Sequence, residues 1–176
     1  MSAKLDEKDV AILQLIQENS KLTAKQISKK INSPITTVFA KTKRMEELGI
    51  IKQYRAILSP EKMNLGTEAF ILASVSYTTK TDGAPVSQRA VAEEIARFPE
   101  VQEVHIITGD WDLLVKLRAE NVDAVGKFVV DKLRLIKGLE KTLTCMAFET
   151  VKETTTLPQS FKRIENKQLS LNFRRA

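Results

Sequence analysis

Residues 23–48 read TAKQISKKINSPITTVFAKTKRMEEL, and this stretch predicts two short helices separated by a tight break. Thr23 and Gln26 have the spacing of a capping box, in which two side chains satisfy free N–H groups at the start of a helix. Pro34 disfavours helical backbone at Ser33 before it, but it is tolerated in the first turn of a new helix. We therefore expect a second helix from Pro34 to Leu48, so that the whole stretch forms a helix-turn-helix.

The outer face of this second helix indicates what the motif contacts. At about 100° per residue, the inner face takes Val38, Thr42, Met45 and Leu48, and the outer face takes Thr36, Phe39, Ala40, Lys43 and Arg44. Small and hydroxylated side chains let a helix approach base edges in the major groove of DNA, while basic ones reach the flanking phosphates. The candidate DNA contacts here are Ser33, Ile35, Thr36, Thr37, Phe39, Ala40, Lys41, Lys43 and Arg44.

The flanking segments extend the motif to a DNA-binding domain over residues 1–58. Asp6 and Asp9 have the spacing of an N-cap and an acid in the first turn of an earlier helix, where negative charge is favoured. Residues 50–58 alternate as a strand, which predicts a wing whose Lys52 and Arg55 also contact DNA. The alternative for the same residues is a three-helix bundle with a basic, solvated face.

Charge is distributed unevenly along the chain. The net charge of +6 divides into +5 for residues 1–58, −2 for residues 59–152 and +3 for residues 153–176. This asymmetry fits a polyanionic partner for the first segment and the tail, and a different role for the middle. Charge alone favours a nucleic acid no more than a solvated basic surface.

After a hinge at 59–66, the apolar pattern changes and predicts a second domain over residues 67–152. Strands are predicted at 69–77, 101–108, 113–118 and 139–149. Two helices are predicted between them. The first has the apolar stripe Val91, Ile95 and Phe98. The second begins after the cap Asn121, ends at Gly138, and has the apolar stripe Val122, Val125, Val129 and Leu133. The order βαββαβ predicts an α+β, ferredoxin-like domain with both helices on one face of the sheet. A second copy is expected to cover the other face, which predicts a homodimer.

Several classes of protein are disfavoured by the composition. The apolar runs are far shorter than the ~20 residues that cross a bilayer, and the N-terminus lacks the apolar core of a signal peptide. The single cysteine, Cys145, allows no internal disulfide and no metal cluster. No nucleophile–base pair or glycine-rich phosphate loop is recognisable, so no catalytic residue is assigned. We expect a cytoplasmic protein that is neither an enzyme nor membrane-bound and needs no metal.

The chain resembles the Lrp/AsnC (feast/famine) transcription regulators, of the archaeal type, over about residues 1–152. In the first domain the resemblance rests on Leu5, Asp6, Asp9, Ile12, Leu13, Val38, Lys41, Arg44, Met45, Glu46, Gly49, Ile50 and Ile51. In the second it rests on Val101, Val104, Thr108 to Leu114, Gly138, Leu139, Thr142 and Thr144, with the Gly109–Asp112 turn the most specific part. Two positions depart from the family pattern: Pro34 stands where a serine is usual, and Lys41 where an arginine is usual.

The resemblance implies a winged helix-turn-helix that binds double-stranded DNA, joined to a ligand-binding (RAM) domain. It further implies that sheets pair into dimers, that dimers assemble further, for example to an octamer, and that an amino acid bound between dimers modulates DNA binding or assembly. This effector is the only small molecule expected, with no cofactor. The implied ligand-binding residues are His105, Gly109, Asp110, Trp111, Asp112, Thr142 and Thr144.

The chemistry of these residues suits a zwitterion but leaves alternatives. Gly109 permits a close approach of backbone N–H groups to a carboxylate, Asp110 or Asp112 would pair with the ammonium, and the two threonines would add hydroxyls. The alternative interpretation, which the chemistry favours equally, is that Asp110 and Asp112 serve only to form the turn. Trp111 packs on the turn or lines a pocket, and His105, without a recognisable partner, fits a structural role.

The tail and the function as a whole also have competing interpretations. Residues 153–176 form an extension whose Lys162, Arg163, Arg174 and Arg175 would contact phosphates, or whose Leu157, Phe161, Ile164, Leu169, Leu171 and Phe173 would pack on another subunit. Subunit packing is the preferred interpretation. For the whole protein, the main alternative to a metabolite-responsive regulator is an architectural DNA-binding protein that ignores metabolites.

Overall fold

The computed structural model describes residues 5–76, 78, 83 and 85–158. The described chain divides into two compact units. The first contains residues 5–56 and 153–158, and the second spans Ile57–Lys152.

The first unit contains the three helices that the sequence predicts. They are α1 (Glu7–Glu18), α2 (Ala24–Lys30) and α3 (Ile35–Glu47). The predicted capping box of Thr23 with Gln26 is present at α2. Asp6 is the N-cap of α1 as predicted, and with Asp9 it forms a second capping box. The core is small and comes from all three helices: Ile12, Leu13, Ile27, Val38 and Met45.

The ends of α3 differ from the prediction. Pro34 is the N-cap rather than the first helical residue, and it makes no side-chain cap. At the other end Leu48 is 51% exposed, not part of the inner face. The chain reverses at Gly49, whose φ of +69° favours glycine, and Ile50 N–H bonds back to the Met45 carbonyl. This reversal packs Ile50 against the core in place of Leu48.

The predicted wing strand is wrong. Residues 50–58 adopt no strand, although their sequence alternates as one. Alternation is a local signal, whereas a strand exists only where a neighbouring strand accepts its hydrogen bonds. No partner strand for this segment lies in the part of the chain that the structure describes.

The second unit confirms the predicted βαββαβ order. Its elements are β1 (Thr67–Val75), α4 (Gln88–Ile95), β2 (Val101–Ile106), β3 (Leu113–Ala119), α5 (Val122–Lys127) and β4 (Leu139–Met146). Every pairing in the sheet is antiparallel, and the strand order is β2-β3-β1-β4. A 3-10 turn, Glu61–Met63, precedes the sheet.

The helices cover one face of this sheet. Ala69, Ile71, Ala73 and Val75 of β1 are buried against Val91 and Ile95 of α4 and Val125 of α5 in a single core. The other face of the sheet carries the alternate residues. Directly opposed residues point to the same side, so the pairings place His105, Leu114, Leu72 and Leu143 in one row across this open face.

Three predicted details near the last strand need correction. Val122, the first residue of α5, is 64% exposed, whereas Val125, Val129 and Leu133 of the predicted stripe are buried. After α5 the chain continues as a wide π turn, Phe128–Lys132. A 3-10 turn, Leu133–Leu135, then ends the helical stretch, so Gly138 lies at the entrance to β4 and not directly at the helix end. Finally, β4 stops at Met146, which pairs with Ala69 of β1, and does not continue to residue 149. Tyr77, the last residue of the first predicted strand, lies outside the described residues.

Candidate nucleic-acid interface and effector turn

A buried carboxylate ties α1 to α3. Asp9 is fully buried, and its side chain accepts from the Asp6 backbone N–H at 2.9 Å, from Lys41 Nζ at 3.1 Å and from Arg44 at 2.8 Å. Lys41 also contacts the Asp6 carboxylate at 2.5 Å. The Lys41 hydrogen bond is the main reason that the pKa of Asp6 is lowered to about 2. Burial works against the charge of Lys41, but the two carboxylates outweigh it and raise the pKa of its ammonium.

This arrangement separates the basic side chains of α3 into two groups. Lys41 and Arg44 are held on the flank towards α1 by Asp9, so the structure gives both a role inside the unit. Lys43 is different, because its side chain is solvent-exposed and its contact with Glu47 is long, at 3.9 Å. Lys43 is therefore the basic group of α3 that is most available to a phosphate.

The structure leaves the other candidate residues of α3 largely accessible. Ile35, Thr36, Phe39 and Ala40 are exposed, and Thr37 is half-buried. The position before the helix is less open, since Ser33 is buried and its hydroxyl accepts from Lys8 Nζ at 3.3 Å. The face of α3 centred on Thr36, Ala40 and Lys43 is thus the accessible surface of the motif, and we call it the reading face.

Further basic groups lie on the first unit outside α3. Lys52 and Arg55 are exposed on the segment at 50–58, which forms no strand. In the same segment the Tyr54 hydroxyl donates to the Glu46 carboxylate of α3 at 2.8 Å. Partial burial is the largest cause that raises the pKa of Tyr54 to about 12, and the Glu46 carboxylate is the second. Sequence reasoning missed Lys29 and Lys30, which are exposed in the last turn of α2; their position in a helix-turn-helix was the available signal.

In the second unit the turn between β2 and β3 is held by Asp112. One oxygen of its carboxylate accepts from the Val75 backbone N–H at 2.7 Å, and the other accepts from Gln88 Nε2 at 3.0 Å. Its own backbone bonds to Ala73 and Ile107. Asp112 thus joins the turn to β1 and α4, and both carboxylate oxygens already have protein partners.

The other residues of the turn are more accessible. Gly109 and Asp110 are exposed, and Gly109 has a φ of +123°, a conformation that side-chain-bearing residues rarely adopt. Trp111 is half-buried, and Lys141 Nζ of β4 lies 5.2 Å from the centre of its ring, within the range of a cation–π contact. Of the two acids in the turn, Asp110 is therefore the one that faces solvent.

The remaining ligand candidates do not share one surface. Thr142 opposes Ala73 and Thr144 opposes Ile71, so both threonines point to the helix-covered side of the sheet. His105 lies on the open face, opposite Leu114, and its ring contacts Glu103 at 3.0 Å. The structure therefore brings Trp111 close to Lys141 but places His105 and the two threonines on opposite sides of the sheet.

Among the described residues, no group of three or more His, Cys, Asp or Glu side chains is placed to hold a metal ion. Nor does any helix in the described ranges combine the length and apolar character needed to cross a membrane. Cys145 is a free, exposed thiol on β4. Of the tail candidates, only Leu157 lies within the described residues, and those from Phe161 onward lie outside them.

Comparisons with known proteins match both units. Residues 5–52 match the winged helix-turn-helix DNA-binding family, and residues 69–157 match the Lrp/AsnC ligand binding domain. An HTH-type transcriptional regulator of Pyrococcus abyssi is 44% identical over 87% of this chain and 99% of its own length. The regulator FL11 of Pyrococcus horikoshii is 34% identical over 90% of this chain and 99% of its own. Among solved structures, a transcriptional regulator of Neisseria meningitidis in complex with L-Met has a TM-score of 0.80 and 32% identity, covering 89% of this chain and 97% of that one.

The fold and these matches together define a class, the DNA-binding transcription regulators that carry an amino-acid-binding domain. Within that class the chain belongs to the Lrp/AsnC family, and its Pyrococcus relatives place it with the archaeal regulators.

Proposed function

We propose that this chain is a sequence-specific transcription regulator whose DNA binding or assembly responds to an amino acid bound between dimers. The observation that carries the proposal is the combination of an exposed reading face on α3 with a separate unit that matches a ligand-binding domain. A dimer would present two reading faces to half-sites one helical turn of DNA apart, ~34 Å, or a multiple of it. Like its relatives, the chain would act by binding and not by catalysis.

On the DNA side, Thr36 and Ala40 would meet base edges and Lys43 would contact a phosphate. Lys41 and Arg44 would act indirectly, since their ion pairs with Asp9 fix the orientation of α3. Lys52 and Arg55 would add phosphate contacts from the segment after the helix. This division assigns sequence preference to the small side chains and general affinity to the exposed basic ones.

The DNA assignment is tested by the salt dependence of binding. Lys43→Ala should weaken binding to all sequences alike and flatten the plot of log affinity against log salt by ~0.9 for the lost phosphate contact. Thr36→Ala should instead change the preference among operator sequences. Lys127→Ala is the matched control, because Lys127 is an exposed helical lysine with an i,i+4 acid, as Lys43 is, but lies in the second unit. If the two variants Lys43→Ala and Lys127→Ala show equal slopes of log affinity against log salt, Lys43 contacts no phosphate.

On the effector side, the exposed acid Asp110 would pair with the ammonium of the amino acid. Backbone N–H groups near Gly109 would receive the carboxylate, since a glycine allows the ligand to approach closely. Asp112 would hold the turn in shape through its bonds to β1 and α4. L-Met is the first candidate ligand, because the Neisseria regulator that this chain resembles was solved with L-Met.

A thermal-shift screen over α-amino acids tests the effector side and separates the two functional alternatives. A ligand present at a hundredfold excess over its dissociation constant stabilises the protein by ~2.7 kcal/mol. The informative variant is Asp110→Asn, because Asp112→Ala would loosen the turn whether or not a ligand binds there. A shift that Asp110→Asn removes supports the sensor. No shift with any amino acid would favour an architectural DNA-binding protein without metabolite response.

A further inference from the structure

The first unit carries a groove that neither the reading face nor the helical core accounts for. It is lined by residues of all three helices, of the turn between α1 and α2, and of the segment after α3, among them Ile16, Ser20, Ile27, Phe39 and Tyr54. Its volume is about 200 Å³. Sites for small molecules usually measure ~300–1,000 Å³, so this groove suits one large side chain better than a metabolite.

The walls of the groove are apolar and partly uncovered. Phe39 is 66% exposed, which is unusual for a phenylalanine on a helix that packs into a core, and Tyr54 is exposed as well. At ~100° per residue, Phe39 lies at the edge of the reading face, not at its centre near Thr36 and Ala40. An apolar side chain seated in the groove would cover the ring of Phe39 and gain the aromatic contact that the exposed ring lacks.

The path of the chain indicates which side chain that is. The Leu157 backbone N–H donates to the Gln17 side chain of α1 at 2.9 Å. Gln17 is next to Ile16 and within one turn of Ser20, and both of these line the groove. The first aromatic residue after this contact is Phe161, and four residues of extended chain span up to ~13 Å. The tail therefore arrives at the groove with an aromatic residue within reach.

We propose that Phe161 occupies this groove, so that the C-terminal segment docks on the DNA-binding unit of its own chain. Lys162 and Arg163 follow directly and would then lie beside α3. Two further positive charges at that place extend the basic surface towards the phosphates of bound DNA. The docking itself is independent of the proposed function, whereas its effect on DNA binding rests on that function.

Docking is tested on the whole chain of 176 residues by NMR of labelled isoleucine methyl groups. Phe161→Ala should shift the methyl signals of Ile16 and Ile27, because both side chains line the groove. Phe173→Ala is the matched control, since it removes an equal aromatic side chain farther along the same tail. The proposal is overturned if Phe161→Ala changes these two signals no more than Phe173→Ala does.

A spin label distinguishes a chain's own tail from that of a second copy. The label is attached to Ser160→Cys in a chain that also carries Cys145→Ser, and broadening of the Ile16 methyl signal is measured. Broadening within one labelled chain is expected. Broadening only when spin-labelled chains are mixed with separate methyl-labelled chains would assign the groove to a neighbouring subunit and overturn the intrachain arrangement.

The effect on DNA binding has its own measurement. The double variant Lys162→Ala, Arg163→Ala should lower the salt slope by up to ~1.8, at ~0.9 for each phosphate contact. Phe161→Ala should lower it by a similar amount, although it removes no charge. If Phe161→Ala shifts the methyl signals but leaves the salt slope unchanged, the tail docks in the groove but does not contribute to DNA binding. If the parent protein binds no DNA at all, the proposed function is rejected and the docking result is unaffected.

Discussion

At the scale of single residues, the first unit depends on how one buried charge is compensated. Asp9 has no access to solvent, and its carboxylate contacts Lys41 and Arg44 of α3 and accepts from the backbone N–H of Asp6, the N-cap of α1. Removing one partner of a buried charge is costly, because the charge left behind keeps its desolvation penalty. The Lys41 and Arg44 side chains therefore contribute to the fold of the unit before they contribute to any contact with DNA.

This compensation predicts opposite outcomes for two neighbouring lysines. Lys41→Ala should lower the free energy of unfolding by ~1–3 kcal/mol, because Asp9 then keeps only Arg44 as a cationic partner. Lys43→Ala should change it by less than ~0.5 kcal/mol, as expected for an exposed side chain. Urea denaturation followed by circular dichroism measures both. Equal losses of stability in the two variants would contradict the role assigned to Lys41.

The same ion pairs predict how stability depends on pH. The pKa of Asp6 is about 2 in the folded protein, below its ordinary value of 3.8, so its ionised form is stabilised by folding. This contribution is complete above about pH 4 and is lost as the pH falls towards 2. The difference in unfolding free energy between the parent and Asp6→Asn should therefore shrink over that range, in denaturant titrations at successive pH values. Glu7→Gln, which removes the adjacent exposed carboxyl, is the control. A difference that stays constant down to pH 2 would contradict the ion pair.

At the scale of elements, the sequence predicted those that local signals define. The capping boxes at Asp6 and Thr23 are short-range patterns, and they placed the starts of α1 and α2 correctly. Only the strand predicted for residues 50–58 was wrong, because a strand depends on a partner that the local sequence does not show. Likewise, the pattern of acids at the turn was visible, but the bonds from Asp112 to Val75 and Gln88 depend on the packing of β1 and α4.

Glycines in different elements have different physical roles, which gives a matched set of variants. Gly109→Ala should cost ~1–3 kcal/mol from backbone strain at φ +123°, although open space surrounds the added methyl group. Gly126→Ala lies inside α5 with open space around it, so it should stabilise by ~0.5–1 kcal/mol through helix propensity. Thermal unfolding compares them. If Gly109→Ala leaves the midpoint unchanged or raises it, the strain at Gly109 has no energetic consequence.

At the scale of the whole molecule, the open face of the sheet combines apolar and charged rows. Leu114 and Leu72 are half-buried and Leu143 is exposed, and the three form the apolar part of the row that begins at His105. On the same face Glu68 forms ion pairs with Lys116, at 3.3 Å, and with Arg118, and all three side chains are buried. A compensated charge cluster beside an apolar row suits contact with an identical surface, because it adds polar specificity without an unpaired charge.

Assembly through this face is the last prediction, and it is tested by placing a charge in the apolar row. Leu143 is 47% exposed, and in a dimer paired through the open faces it would be buried on both copies. Leu143→Asp should then bury two unpaired carboxylates across the twofold axis and convert the dimer to monomer in sedimentation velocity. Val122→Asp places the same charge on another exposed apolar residue, 64% exposed, at the start of α5 in the helix layer. An acid is favourable in the first turn of a helix, so this control should keep its assembly and its stability. If Val122→Asp dissociates the protein and Leu143→Asp does not, the subunits meet through the helices, and the open face requires another partner.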